Sequence, residues 1–305
     1  MRIAITGGTG FIGQALMKAL MSLGHSGWII SRSLPDKAPG NGSTPAGGFV
    51  RVSWGQLEAS PQLLNGVEAV INLAGETISQ RWTETAKNRI RSSRVETAAK
   101  LADILSQADI MPKILVQASG VNAYGFSDSA TFTEENPTAE EDFLASVVRD
   151  WEHAAKAIPA ERNVTLRFGV VLGKDGGALP RMLLPFRMMA GGPLGSGKQW
   201  MSWIHLQDLV QLIIHSLNSV TLEGVVNATA PEPARNSEFG RAAAKALGRP
   251  YWLIAPSPPL RLALGEMSDL LLKGQRVVPA KALADGFRFQ FPSIQEALDN
   301  LLARS

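Results

Sequence analysis

The 305-residue chain balances 30 Lys and Arg against 27 Asp and Glu, a net charge of +3, so charge gives it no basic face for nucleic acid. Its 45% hydrophobic content is enough to bury a sizeable core, and the absence of cysteine excludes disulfides, thiolate catalysis and Cys-based zinc sites. No apolar run approaches the roughly 18 residues of a membrane span and no charged leader precedes the first apolar run, so no membrane association and a cytoplasmic location are expected.

The first thirteen residues predict a strand over 2–6, a glycine-rich turn, and an amphipathic helix over 11–24. Further strands are expected at 27–31, 50–53, 68–73, 113–119 and 163–168. Further helices are expected at 84–107, 142–157, 178–190, 207–217, 236–247, 259–272 and 293–303. Strands alternating with helices predict an α/β fold, a doubly wound parallel sheet. The stretch 34–48 is rich in Pro, Gly and Ser and reads as a surface loop. Past about residue 170 the pattern loosens into a smaller C-terminal α/β lobe. The expected division is 1–172 and 173–305, with part of 203–230 returning to the first domain.

The opening turn carries the strongest chemical signal. Gly7 permits a tight turn, Gly10 lets backbone approach a pyrophosphate, and Gly13 lets the helix pack on the strand. The helix start then offers free amides to phosphate. The second strand ends in Ser31 and Arg32, with no acid until Asp36. A hydroxyl and a guanidinium there favour a 2′-phosphate, hence NADP(H) over NAD(H). The fourth strand runs into Asn72, Leu73, Ala74, Gly75 and Glu76, at the sheet edge where ligands bind in such folds; Glu76 faces either cofactor or solvent.

TGGTGFIG, NLAG, ASGVNAYG, LRFGVVLG and WIHLQDL resemble the extended short-chain dehydrogenase/reductase superfamily. NLAGE, RDWE, GGPLGSGKQWMSWIH, NATAP and GQRVVP are similar to one atypical, epimerase-like branch of it. The resemblance covers nearly the whole chain. It implies a Rossmann-type NADP(H) domain, with Thr9, Phe11, Ile12 and Trp54 also on the cofactor side, and a C-terminal lobe for substrate. A nucleotide sugar is the substrate class it suggests, and relatives often dimerise through two helices. Some relatives are described as cell-division or plastid-division factors, which keeps a non-enzymatic regulator as the alternative.

The superfamily's catalytic signature is missing. It uses a hydroxyl residue after strand five and a tyrosine followed four residues later by lysine. Here Tyr124 is followed at that spacing by Asp128 and Tyr251 by Ala255. The residue at the hydroxyl position, four before Tyr124, is Gly120. Ser119 and Tyr124 are the remaining catalytic candidates. Asp150, Glu152, His153 and Lys156 lie on the helix that would carry the dyad, and are expected to form a solvated face with Glu152 pairing Lys156. In the second lobe Met182, Trp200, Trp203 and Arg276 are substrate candidates. The tryptophans would stack on a flat ligand or pack the lobe, and Arg276 would pair an anion. GPLGSGKQ at 192–199 has P-loop spacing, but Gln199 replaces the needed Ser or Thr and the following residues read as extended. His205 reads as structural, with Asp208 capping the next helix. The four histidines lack metal-ligand spacing, so no metal is expected. Two functions remain open: an NADP(H)-dependent oxidoreductase or epimerase with a rearranged acid/base, or an NADP(H)-binding regulator.

Overall fold

The computed structural model describes residues 1–32, 48–139 and 142–303; all of the Pro/Gly/Ser-rich stretch except Gly48 lies outside them. A seven-stranded parallel sheet forms the centre. Its strands are β1 (Arg2–Thr6), β2 (Ser26–Ser31), β3 (Phe49–Ser53), β4 (Ala69–Asn72), β5 (Ile114–Gly120), β6 (Arg162–Phe168) and β7 (Gly224–Ala228). The order across the sheet is β7-β6-β5-β4-β1-β2-β3, so the winding reverses between β1 and β4.

The helices are α1 (Phe11–Ser22), α2 (Trp54–Ala59), α3 (Glu84–Gln107), α4 (Phe143–Ala155), α5 (Leu206–Asn218), α6 (Asn236–Leu247), α7 (Ser257–Leu264) and α8 (Ile294–Leu302), with several single turns between them. Strand alternation decides which helix covers which face. Ile3 and Ile5 of β1 join Leu16 and Leu20 of α1 and Leu209, Ile213 and Leu217 of α5. Ala4, between them, faces the other way and joins Ala98, Leu101 and Leu105 of α3.

Two of the expected helices are broken. The span 178–190 holds two short helices, Leu179–Met182 and Leu184–Arg187, each started by a proline near its N-terminus. Pro185 has no amide to donate, so a continuous helix cannot pass it. The span 259–272 is interrupted at Gly265, which takes a φ of +59°. Strand β7 is missing from the predicted strands: GVVNA is too short to show a period.

The second core gathers Leu172, Leu179, Leu183, Phe186, Trp203, Phe239 of α6, and Leu298 and Leu301 of α8. Residues 287–291 join the two cores, with Phe287 in the first and Phe291 in the second. Asp208 holds this segment. Its carboxylate accepts the amides of Gln290 (2.8 Å) and Phe291 (3.0 Å). The helix cap expected of Asp208 is supplied instead by His205, whose Nδ1 accepts the Gln207 amide at 3.0 Å. Burial pushes the His205 pKa down to about 4, so the ring is neutral, which capping through Nδ1 requires.

Candidate functional site

At the carboxyl end of β1 the chain is shaped by what a side chain would displace. Gly7 has a φ of +70°, and a Cβ there would lie 2.8 Å from the Leu73 carbonyl group. A Cβ on Gly13 would lie 2.4 Å from the Gly7 oxygen and 2.6 Å from the Gly8 Cα. Both glycines therefore hold α1 and the loop after β4 tight against the turn. Gly10 caps α1 without a side-chain acceptor, leaving the Phe11, Ile12 and Gly13 amides without an intrahelical partner. The Phe11 ring fills the space left by Gly173, Gly176 and Gly177, which fixes the helix start from above. Thr9 is exposed, and its carbonyl accepts from Gln14 Nε2 at 2.8 Å. Arg32 is exposed at the end of β2. Ser31 pairs in register with Ser53, and Trp54 follows directly as the first residue of α2. These residues surround one edge of the sheet and fit a dinucleotide: free amides and close backbone for pyrophosphate, a cation for the adenosine end.

A buried polar relay stiffens the same edge. Thr6 Oγ1 donates to Asn72 Oδ1 (2.5 Å), Asn72 Nδ2 to Gln117 Oε1 (2.8 Å), and Gln117 Nε2 to the Ala118 carbonyl (2.7 Å). It crosses from the carboxyl ends of β1 and β4 to the middle of β5. Beyond it, the Glu76 amide donates to Ser93 Oγ (2.9 Å), tying the loop to α3. Glu76 is only half-buried. Arg94 of α3, absent from the sequence-derived candidates, reaches the same loop: a Cβ on Gly75 would lie 3.0 Å from its Cζ. Burial lowers the Arg94 pKa to about 10, against the attraction of Glu76.

The β5 side differs. The Ser119 hydroxyl is buried and donates to Glu152 Oε1 at 2.6 Å. Its one proton is already given to that carboxylate, so in this geometry the candidate hydroxyl has none to offer a substrate. Glu152 does not pair Lys156 on a solvated face. Its two oxygens accept Arg167 Nε and Nη2, both at 2.8 Å, in a fork on β6. Burial alone would lower the Arg167 pKa; Glu152 and Tyr124 together more than offset it and leave it raised. Asp150 pairs with Arg91, while His153 and Lys156 are exposed. Tyr124 is buried, stacks on Phe132, lies under the Arg167 guanidinium, and donates its hydroxyl to Asn227 Oδ1 at 2.8 Å. Burial raises its pKa, so the phenol stays protonated and committed. Toward Gly120, α4 presents Val148, with Glu152 one turn further on and held by Ser119 and Arg167. Val148 Cγ2 would lie 3.6 Å from a Cβ on Gly120, and Leu144, one turn earlier, is also buried.

In the second lobe Trp203 is fully buried in the core and donates Nε1 to the Glu232 carbonyl at 3.1 Å, so it packs the lobe and is removed from any substrate face. Met182 is half-buried at the margin of that core. Trp200 and Arg276 do meet: the Arg276 Cζ lies 5.1 Å from the indole centroid, and Arg235, missed by the sequence reading, lies 3.6 Å from it. Residues 192–199 lead into a short strand, Trp200–Met201, with no helix of the kind a P-loop needs. Among the described residues no three His, Asp or Glu side chains gather to hold a metal ion, and no helix is long and apolar enough to cross a membrane.

Comparison with known proteins agrees with this architecture. Residues 3–228 match the NAD dependent epimerase/dehydratase family, and residues 255–301 match a domain of unknown function, DUF1731. Epimerase family protein YfhF of Bacillus subtilis is 42% identical over 306 residues, 99% of this chain and 98% of its own. The crystal structure of human epimerase family protein SDR39U1 (isoform 2) with NADPH superposes with a TM-score of 0.89 at 39% identity, covering 99% of both chains. A nucleoside-diphosphate sugar epimerase from Corynebacterium glutamicum follows at 0.76 and 29% identity, over 99% of this chain and 58% of that one. With a family match across most of its length and relatives aligned from end to end, this chain belongs to the NAD-dependent epimerase/dehydratase family.

Proposed function

We propose that the chain binds NADP(H) across the β1/β4 switch point and acts as an NADP(H)-dependent oxidoreductase or epimerase on a nucleotide-sugar-like substrate, without a side-chain phenol and ammonium pair. The observation that carries the cofactor reading is the α1 start with its three free amides, next to Arg32 at the end of β2. A related human protein crystallised with NADPH supports it. Residues 7–13 would hold the pyrophosphate and Arg32 the 2′-phosphate, while Leu73 to Gly75 supply the close backbone beneath. Bound there, the nicotinamide would supply or accept a hydride.

The protein's own part is binding, orientation and exclusion of water. Beside Gly120 stand Val148 and Asn122, neither of which exchanges a proton near neutral pH, and Ser119, Glu152 and Tyr124 are already bonded to neighbours, so the proton goes to or from water or the substrate's own hydroxyl. The same lack of an uncommitted proton donor favours the second reading, a regulator that binds NADP(H) without turnover. Incubation with NADPH deuterated at C4 and a panel of nucleotide sugars and simple carbonyls separates the two. Deuterium in a product establishes the enzyme; tight NADPH binding with no transfer to any compound leaves the regulator. Ser119→Ala is expected to leave transfer within about twofold, because its hydroxyl serves Glu152. A much larger loss of rate, with folding intact, would return Ser119 to the chemistry.

A further inference from the structure

Arg94 is a cation without a counterion. Its Nη1 donates to the Ile90 carbonyl of its own helix at 2.8 Å, and no carboxylate lies within ion-pair distance among the described residues. Glu76 attracts it from further away. The guanidinium is packed over Trp151 of α4, with Cζ 4.9 Å from the ring centroid. That indole supplies a second, independent observation: its Nε1 is buried and finds no acceptor among the described residues. The indole N–H is buried with nothing to accept it, and the half-buried guanidinium beside it has only a helix carbonyl, so one further acceptor would serve both.

Their position identifies which end of the cleft they serve. Arg32 marks the adenosine end at β2, and the pyrophosphate belongs at α1. The loop over β4 that Arg94 touches lies on the opposite side, toward β5, where the nicotinamide and the substrate fall in a doubly wound sheet. Gly75 gains a reason as well. A side chain there would press on the guanidinium, with a Cβ 3.0 Å from Cζ, 3.1 Å from Nη2 and 3.3 Å from Nε.

Resting on the small-molecule enzyme reading above, we propose that Arg94 and the Trp151 indole N–H form an anion site beside the nicotinamide half of the cleft, and that it takes a carboxylate or phosphate group of the substrate. Arg offers a planar fork that matches both groups, and the indole adds one further donor. The cofactor's own phosphate is the competing source of the same chemistry.

The test uses NADPH-loaded full-length protein with 15N-labelled indoles, the Trp151 signal being assigned from Trp151→Phe. Malonate and inorganic phosphate are titrated separately. At least one is expected to shift the Trp151 Nε1–H signal saturably. Arg94→Met should weaken that anion about tenfold or more, and Arg94→Lys less, while NADPH affinity changes by less than about threefold. Circular dichroism melts confirm that each variant is folded, and Arg94→Lys carries the test if Arg94→Met is not. An indole signal unmoved by either anion overturns the proposal, as does an Arg94→Met that titrates like the parent. A fall of about tenfold or more in NADPH affinity for Arg94→Met assigns the group to the cofactor's phosphate and overturns the substrate assignment. If the parent chain fails to bind NADPH, the cofactor reading fails instead, and the anion titration of the free protein still decides this one.

Discussion

The two halves of the sheet's carboxyl edge are built by opposite means. Between β1 and β4 the chain removes side chains, and what remains is backbone: free amides, close carbonyls, and room for something flat and charged. Between β5 and β6 the polar side chains are present but satisfy one another, in the series Ser119, Glu152, Arg167 and Tyr124 to Asn227. One half is unfinished until a ligand arrives; the other is finished without one. Backbone laid bare for a ligand and side chains tied to one another thus lie next to each other on a single sheet edge.

The largest expected effect falls on the self-satisfied half. Glu152→Ala leaves the Arg167 guanidinium buried and unpaired, at a cost of about 3–5 kcal/mol in urea unfolding. A loss under about 1 kcal/mol would mean that Arg167 reaches water, and the contrast between the halves would weaken.

A pH effect of similar size comes from the neighbouring lobe. The folded pKa of His205 is about 4 against 6.5 unfolded, so protonation favours the unfolded chain. Its contribution is complete above pH 6.5 and drains away as pH falls toward 4, by about 3 kcal/mol in all. His205→Asn, which keeps a capping oxygen, should flatten that part of the stability profile; an unchanged profile would remove His205 as its source.

On the ligand-requiring half, Gly13→Val drives side-chain carbon into the Gly7 carbonyl and should weaken NADPH binding about a hundredfold by fluorescence titration. The smallest effect is the most selective. Arg32→Ala should weaken NADPH about tenfold and NADH hardly at all. Equal losses would detach Arg32 from the 2′-phosphate.

The contrast also explains what could be read from residue order. TGGTGFIG is local: strand, turn and helix start are contiguous, so thirteen residues suffice to state the backbone half. Helix 84–107 and α6 are equally legible, because each is contiguous and needs no distant partner to declare itself. The β5 half is assembled from residues 33 and 15 apart in the Ser119–Glu152 and Arg167–Glu152 pairs, and 103 apart between Tyr124 and Asn227. Helix spacing alone made Lys156 the natural partner of Glu152; only the pairing of β5 with β6 brings Arg167 nearer. Arg94 escaped for the same reason, since its meaning comes from Gly75 and Trp151 on other elements. The exchange of roles between His205 and Asp208 depended on amides more than eighty residues further on.

That last attachment bears on how the protein is made. The amides that Asp208 holds belong to Gln290 and Phe291, and Phe287 and Phe289 close a core whose other members precede residue 283. Until residues 287–291 have been synthesised and have left the ribosome, that core lacks the Phe287 ring and nothing pairs the Asp208 carboxylate, so the fold cannot close on its earlier residues alone. A chaperone would have most to hold in that interval, and truncation before residue 287 would leave the chain in that state.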